Sequence, residues 1–166
     1  MLARVLTAVL ASLIANPSTA LAEDPDEAAI QNLQSRQAAA WNAHDAAAYA
    51  ALFTSDGDVV NVLGWWWKGR DQIQSKLTDA FALVFRDSEL TITHVDVRKL
   101  SPGVAVAHVR WTMKAALAPA GGAAPPQQGI QLQLLVRSKD GWRIASFQNT
   151  NSIPERPFPR ERSATP

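Results

Sequence analysis

The stretch ELTITHVDVRKLSPGVAVAHVRWTMKAA, residues 89–116, alternates apolar and polar side chains on both sides of a Ser-Pro-Gly turn. A period of two is typical of β-strands that bury one face. The turn at 101–103 joins the two segments, so we predict an antiparallel hairpin of strands 89–100 and 104–116. This hairpin predicts that the second half of the chain contains an antiparallel β-sheet.

The segments on either side of this hairpin extend the pattern. Two more alternating segments, joined by a Lys-Asp-Gly turn, predict strands at 129–138 and 142–150. Upstream, apolar residues at helical spacing and a β-branched run predict helices at 25–43 and 45–53, a strand at 58–63 and a helix around 73–84. The predicted fold class is α+β in the order ααβαββββ, with three helices packed on a strongly curved, mostly antiparallel sheet that leaves a cone-shaped cavity.

The two termini differ in composition from this domain. Residues 1–22 have a basic start, the apolar run Val5–Ala15 and a small-residue cleavage motif that ends at Ala22. The apolar run is shorter than the roughly 20 residues that span a bilayer. We therefore expect cleavage after Ala22, a periplasmic or secreted protein and no stable membrane anchor. A domain at 23–151 and a flexible tail at 152–166, rich in proline and arginine, complete the expected organisation.

Composition excludes several function classes. The chain has no cysteine, which rules out thiol redox chemistry, iron–sulfur clusters and cysteine-ligated zinc. Its 16 basic and 15 acidic residues nearly balance, so no phosphate-tracking surface is expected and nucleic acid is not a predicted partner. The three histidines have no spacing typical of a metal site, and no metal is expected.

Several motifs resemble a known family. Residues 40–46 (AWNAHDA) and 49–53 (YAALF) are similar to those of the nuclear-transport-factor-2-like superfamily, in its SnoaL-like or DUF4440-type members. The resemblance narrows to the SgcJ/EcaC branch through the segments 56–64 (DGDVVNVLG), 67–70 (WKGR), 140–144 (DGWRI) and 148–150 (QNT). The resemblance implies a cone-shaped fold, an apolar pocket and a homodimer formed through the outer sheet face. The branch name includes the word oxidoreductase, but the chain has no Gly-x-Gly-x-x-Gly motif, and no cofactor is expected.

The superfamily includes ketosteroid isomerases, and this comparison indicates which residues face the pocket. Their general base aligns with Asn61 and their oxyanion-hole acid with Leu134, so both catalytic carboxylates are replaced. With Asn61 pointing inward, we expect Leu134 to point inward and Gln131 and Gln133 to lie on the opposite face. A small hydrophobic molecule would then contact Trp41, Tyr49, Phe53, Asn61, Trp111, Leu134, Phe147 and Asn149.

Asp96 and His108 are reserve catalytic candidates. A symmetric turn sets them opposite each other, and a carboxylate beside an imidazole can transfer protons. Because the apolar face of these strands should point inward, a polar outer face is the favoured position for both residues. A β-bulge would reverse this facing.

Three functions follow from these observations. The first is an exported domain that binds a small hydrophobic molecule in its pocket. The second is an enzyme acting on a polyketide-like or other hydrophobic carbonyl substrate. The third is a non-catalytic module for dimerisation or partner binding.

Overall fold

The computed structural model describes residues 24–114 and 127–153, which form three helices and a six-stranded sheet. The predicted leader and the predicted tail from residue 154 onward lie outside the described residues. The elements in chain order are α1 Pro25–Asn42, α2 Ala46–Ala50, β1 Phe53–Val60, β2 Trp66–Lys68, α3 Arg70–Ala82, β3 Glu89–Ser101, β4 Val104–Lys114, β5 Gln127–Ser138 and β6 Gly141–Asn151. The predicted α+β class and the curved sheet are confirmed, with one strand more than predicted.

The helices begin where their sequences provide caps. Asp24 caps α1 by accepting a hydrogen bond from the backbone amide of Asp26, and Pro25 occupies the first turn. Asp45 caps α2 in the same way, through the amide of Ala48. α2 is shorter than predicted, because the chain enters a strand at Phe53 instead of continuing to a turn at 55–57.

The first two strands differ most from the prediction. β1 begins five residues earlier than expected, and its parallel pairing with β6 is irregular between Phe53 and Asp58. The segment Trp66–Lys68, which was not predicted as a strand, pairs antiparallel with β1 and forms the sheet edge. The tight turn between the strands starts at Asn61, so this residue follows β1 instead of lying within it.

The four-stranded meander matches the prediction closely. The sheet order is β2-β1-β6-β5-β4-β3, and all pairs except β1 with β6 are antiparallel. Asp96 pairs with His108 as predicted. Ser101 pairs with Val104 across the turn, and a register shift between Lys99 and Ser101 leads to the Asp96–His108 pair. The register also shifts at Thr93. Alternation is therefore unbroken from His94 to Arg98, and the polar side chains of this stretch remain on the outer face.

The facing of β5 is opposite to the prediction. Gln131 and Gln133 are buried under the helices, whereas Leu132 and Leu134 are 46% and 36% exposed on the outer face. The register of β4 with β5 explains this, because Gln133 pairs with buried Ala107 and side chains of paired residues share a face.

Candidate functional site

Aromatic side chains form a continuous row in the interior between the helices and the sheet. Trp41 lies edge-on to Phe81 with ring centroids 5.1 Å apart, and to Tyr49 at 5.9 Å. Tyr49 is 5.9 Å from Phe53, which is 6.1 Å from Phe147. Four of the predicted pocket residues, Trp41, Tyr49, Phe53 and Phe147, are therefore brought together in this buried row.

A cluster of polar side chains lies beside the aromatic row, and we call Gln34, Gln37, Tyr49, Gln131 and Gln133 the amide cluster. All five side chains are buried, and they come from α1, α2 and β5. Helix and sheet are thus joined through hydrogen bonds in the centre of an otherwise apolar core.

The hydrogen bonds of the amide cluster converge on Gln133. Its Oε1 accepts from Gln34 Nε2 at 2.7 Å, and its Nε2 donates to the Oε1 atoms of Gln34, Gln37 and Gln131 at 2.9–3.1 Å. Gln37 Nε2 donates to Tyr49 Oη at 2.8 Å and to Gln131 Oε1 at 3.3 Å. The bonds link all five side chains into one network.

The amide cluster has more hydrogen-bond donors than it uses. Every amide oxygen and the phenol oxygen accepts at least one hydrogen bond within the cluster. Within the described part of the chain, by contrast, neither the Tyr49 hydroxyl nor the Gln131 amide nitrogen donates to any partner. The Tyr49 hydroxyl already has one hydrogen-bond partner and can still donate its own proton, and the Gln131 amide nitrogen can donate to an acceptor that reaches it. Both groups can therefore serve a hydrogen-bond acceptor other than the protein itself.

Tyr49 remains a neutral donor over the physiological range. Burial raises the pKa of its phenol to about 12, and the hydrogen bond from Gln37 opposes this shift only in part. A phenol with this pKa holds its proton at neutral pH, so Tyr49 can polarise a bound oxygen but cannot act as a base.

Trp111 lies on β4, where it pairs with Gly129 near the start of β5. Its indole Nε1 donates to Asn149 Oδ1 at 2.8 Å, which fixes two predicted pocket residues against each other. The ring lies over Gly129, where a Cβ atom would come within 2.4 Å of the Trp111 ring. Asn149 is half-buried, and it faces inward as predicted because it pairs with Gln131.

Two other predicted pocket residues lie elsewhere. Leu134 is on the outer sheet face, so its expected contact with an interior ligand is wrong. Asn61 is partly exposed, and its Oδ1 accepts hydrogen bonds from the amides of Leu63 at 2.9 Å and Trp65 at 3.1 Å. Its side chain therefore organises the β1–β2 turn, which corrects the inward orientation expected from the isomerase comparison.

The reserve catalytic candidates also lie on the outer sheet face. His94, Asp96, His108, Arg110 and Ile130 surround a depression of about 350 Å³ on that face. Asp96 and His108 are both exposed, and the helices lie on the opposite side of the sheet. The reserve role of this pair in interior acid–base chemistry is therefore wrong.

A second depression, of about 660 Å³, lies between the α1–α2 junction and α3. Its lining includes His44 and Phe81 but none of the predicted pocket residues. In residues 24–114 and 127–153, no three His, Asp or Glu side chains are grouped closely enough to hold a metal ion. Over the same ranges, no helix combines the length and apolar character that a bilayer span requires.

Sequence reasoning missed Gln34, Gln131 and Gln133 as interior residues. One signal was present, because Gln37 occupies a position of the apolar stripe of α1 together with Ile30, Leu33 and Trp41. An amide in an apolar stripe indicates a buried partner. The partners on β5 could not be identified in the same way, because the connection from β4 to β5 does not fix a register that can be counted from the sequence.

Comparisons with known proteins agree with this architecture. A family model described as a SnoaL-like domain matches residues 22–148. A Caulobacter vibrioides protein with a cystatin-like fold is 31% identical, with coverage of 79% of this chain and 92% of that chain and a TM-score of 0.73. No curated protein matches the chain.

Two further solved structures are similar in fold. A Nostoc punctiforme domain with a cystatin-like fold is 25% identical, with 77% of this chain and 78% of that chain covered and a TM-score of 0.64. An NTF2-like protein from Novosphingobium aromaticivorans is 20% identical, with 78% and 84% covered and a TM-score of 0.66.

Proposed function

The chain belongs to the SnoaL-like domain family, and from that premise we propose that it binds a small, mainly hydrophobic molecule between its helices and its sheet. The aromatic row supplies apolar surface for such a molecule, and the amide cluster supplies oriented polar groups beside it. Mostly apolar walls with a few placed polar groups are typical of small-molecule sites.

The unused donors of Tyr49 and Gln131 carry this proposal. An acceptor that reached the buried Tyr49 hydroxyl would add a hydrogen bond to its proton, and a net gain of about 0.5–1.5 kcal/mol is typical of such a bond. A ligand with a carbonyl or ether oxygen would satisfy both donors. A cationic ligand would not, because an ammonium or guanidinium group supplies donors and not the acceptor that these two groups need.

Binding is better supported than proton-transfer catalysis. The buried polar residues of the described part are four glutamines and one serine, and none of them can take up a proton at neutral pH. An enzyme acting on a hydrophobic or polyketide-like carbonyl substrate could use Tyr49 to polarise that carbonyl. It would also need a base, which the described interior does not provide.

The finer assignments belong to the same proposal. The motifs at 56–64 and 140–144 support placement in the SgcJ/EcaC branch. The leader-like residues 1–22 support export to the periplasm or beyond, with cleavage after Ala22. The export assignment would be tested by measuring the intact mass of the protein in the exported fraction, which should match a chain that begins at Glu23.

Homodimer formation through the outer sheet face is a further part of the proposal. Leu132 and Leu134 are exposed side by side on this face, where a monomer would leave them in water. A second copy would bury them, and a two-fold interface uses the same patch on both subunits.

Native mass spectrometry of gently purified protein tests the binding proposal. We expect an additional small mass that is lost on denaturation. Tyr49→Phe removes only the hydroxyl, and it should weaken retention about tenfold because one buried hydrogen bond is lost. The matched control is Thr78→Val, which removes a hydroxyl that donates within α3 to Gln74 O and belongs to neither the aromatic row nor the amide cluster.

Two results would contradict the proposal. The first is a wild-type protein that retains no small molecule and binds no member of a panel of hydrophobic carbonyl compounds. The second is equal retention by the Tyr49→Phe and Thr78→Val variants, which would place the ligand away from the amide cluster.

A further inference from the structure

The turn between β1 and β2 carries three exposed apolar side chains, and we call Leu63, Trp65 and Trp66 the hairpin tip. They are 66%, 61% and 55% exposed, although they occupy three of four successive positions. Large aromatic side chains are normally buried, and clustered exposure marks an interaction site. Neither the proposed interior site nor the proposed dimer face includes these residues.

The hairpin tip is held in shape by its own turn. Asn61 N donates to Trp65 O at 3.0 Å, and Gly64 N donates to Asn61 O at 2.9 Å. The Asn61 side chain accepts two further backbone hydrogen bonds from the same turn. Gly64 has a φ of 80° in the left-handed region, with open space around its Cα atom. The apolar side chains are therefore presented by an ordered projection.

Polarity changes from the end of this projection to its base. Leu63 and Trp65 lie in the turn itself and are the most exposed of the three. Trp66 follows in β2, where its Nε1 donates to Asp58 Oδ2 at 2.7 Å and the Lys68 ammonium lies 3.8 Å from its ring centroid. Trp67 is partly buried and packs against the core. An apolar end, an amphipathic tryptophan and a charged base, where Lys68 lies opposite Asp58, follow one another over a short distance.

This layering fits the interfacial region of a lipid bilayer. Tryptophan is enriched at membrane interfaces because its ring is apolar while its N–H needs a polar partner. A convex projection can enter a fluid lipid surface, whereas a protein partner would need a matching groove. The Lys68 ammonium makes no ion pair with a carboxylate in the described residues, so it can approach a lipid phosphate. We propose that the hairpin tip is a reversible anchor that inserts into the interface of an anionic lipid bilayer.

The affinity of such an anchor should be moderate. Two or three inserted side chains bury limited apolar area, and stable membrane attachment generally requires more than one such signal. We expect rapid, reversible partition that concentrates the protein at a membrane surface without fixing it there.

Vesicle co-sedimentation of the exported protein tests this inference. The sample should have a single N-terminus, which its intact mass verifies. The probes are vesicles of phosphatidylethanolamine with phosphatidylglycerol, and vesicles of phosphatidylcholine alone. The tip variant is Leu63→Ser with Trp65→Ser. The matched control is Leu83→Ser with Val84→Ser, since these residues are 67% and 40% exposed after α3.

The wild type and the control variant should bind the anionic vesicles equally, and the tip variant should bind at least about tenfold more weakly because it loses the apolar area that inserts. Lipids brominated in their acyl chains should quench part of the wild-type tryptophan fluorescence, and that part should decrease in Trp65→Phe, which keeps Trp66 in the hairpin tip. Binding to phosphatidylcholine should be weaker, because Lys68 then meets no net negative charge.

Several outcomes would overturn the inference. Absence of wild-type binding to both vesicles, or equal losses in the tip and control variants, would remove the lipid assignment. Self-association of the wild type without vesicles, abolished in the tip variant, would identify a second copy of the chain as the occupant instead. Thermal unfolding of both variants by circular dichroism verifies that each remains folded.

Discussion

Tyr49 is the only tyrosine of the chain, so its ionisation can be followed without interference from another phenol. Burial raises its pKa to about 12, from an ordinary value of 10.0. We expect the near-ultraviolet absorbance of tyrosinate to rise with a midpoint near 12 in the folded protein and near 10 after denaturation. A folded-state midpoint close to 10 would contradict the buried position of the hydroxyl.

The same shift in the pKa of Tyr49 predicts a pH dependence of stability. The folded state holds the phenol proton more tightly than the unfolded state, so the stabilisation is complete below pH 10 and is lost as pH rises toward 12. Two pKa units correspond to about 3 kcal/mol. Denaturant unfolding at pH 9 to 12 should therefore show a steeper loss of stability in the wild type than in Tyr49→Phe.

Gln133 is the residue whose replacement should disturb the amide cluster most. Gln133→Leu leaves Gln34, Gln37 and Gln131 without a shared partner, and we expect a loss of about 2–4 kcal/mol in the free energy of unfolding. Gln128→Leu, at an exposed position of the same strand, should change it by less than about 0.5 kcal/mol. Equal effects of the two substitutions would show that the network adds nothing to stability.

At the level of the element, β5 depends on a close approach between its backbone at Gly129 and the ring of Trp111. A Cβ atom on Gly129 would lie 2.4 Å from both Thr150 O and the Trp111 ring. Gly129→Ala should therefore destabilise the fold by about 3 kcal/mol through overpacking. Gly64→Ala, with a positive φ but open space around it, should cost only about 1 kcal/mol in denaturant unfolding. A smaller effect at Gly129 than at Gly64 would contradict this packing.

Asn61 also acts at the level of an element, because its side chain stabilises the turn between β1 and β2. Asn61→Ala removes an acceptor of two backbone hydrogen bonds and should cost about 1 kcal/mol. Asn61→Asp keeps that acceptor, so both stability and ligand retention should remain close to wild type. A changed ligand affinity in Asn61→Asp would return Asn61 to the binding site.

The elements show what sequence could and could not specify. Local signals were sufficient for α1, where Asp24 and Pro25 mark the start, and for the β3–β4 hairpin, whose alternation and short turn predicted an antiparallel pair. The register shifts at Thr93 and between Lys99 and Ser101 had no such signal. They failed for β5, since Gln and Leu alternate there and the leucines were assumed to face the core. The partners on β4 decide the facing, and a long connection hides that register.

The same difference between local and long-range signals explains which residues of the candidate site could be predicted. Trp41, Tyr49, Phe53 and Phe147 could be assigned to the interior because they lie on elements with clear periodicity. The amide cluster could not be assembled from sequence, because its hydrogen bonds join α1 to β5 across about a hundred residues of chain.

At the scale of the whole molecule, the inverted facing of β5 bears on assembly. The leucines that the sequence suggested for the core instead lie on the outer sheet face, beside the depression lined by Asp96 and His108. The interior accepts glutamines in their place because the helices provide amide partners. The polar network inside and the apolar patch outside are therefore two consequences of one strand register.

The exposed leucines of the outer sheet face lead to a prediction about how their substitution should change the oligomeric state. Leu132→Ser with Leu134→Ser removes exposed apolar area without opening the core, so the variant should sediment as a monomer while the wild type sediments as a dimer. Because both side chains face away from the helices, the unfolding free energy of the separated protomer should change by less than about 1 kcal/mol. Tyr49→Phe is the matched control, since its interior change should leave the dimer intact. A monomeric wild type, or a variant that stays dimeric, would show that this face does not join two copies, and the exposed leucines would then need another occupant.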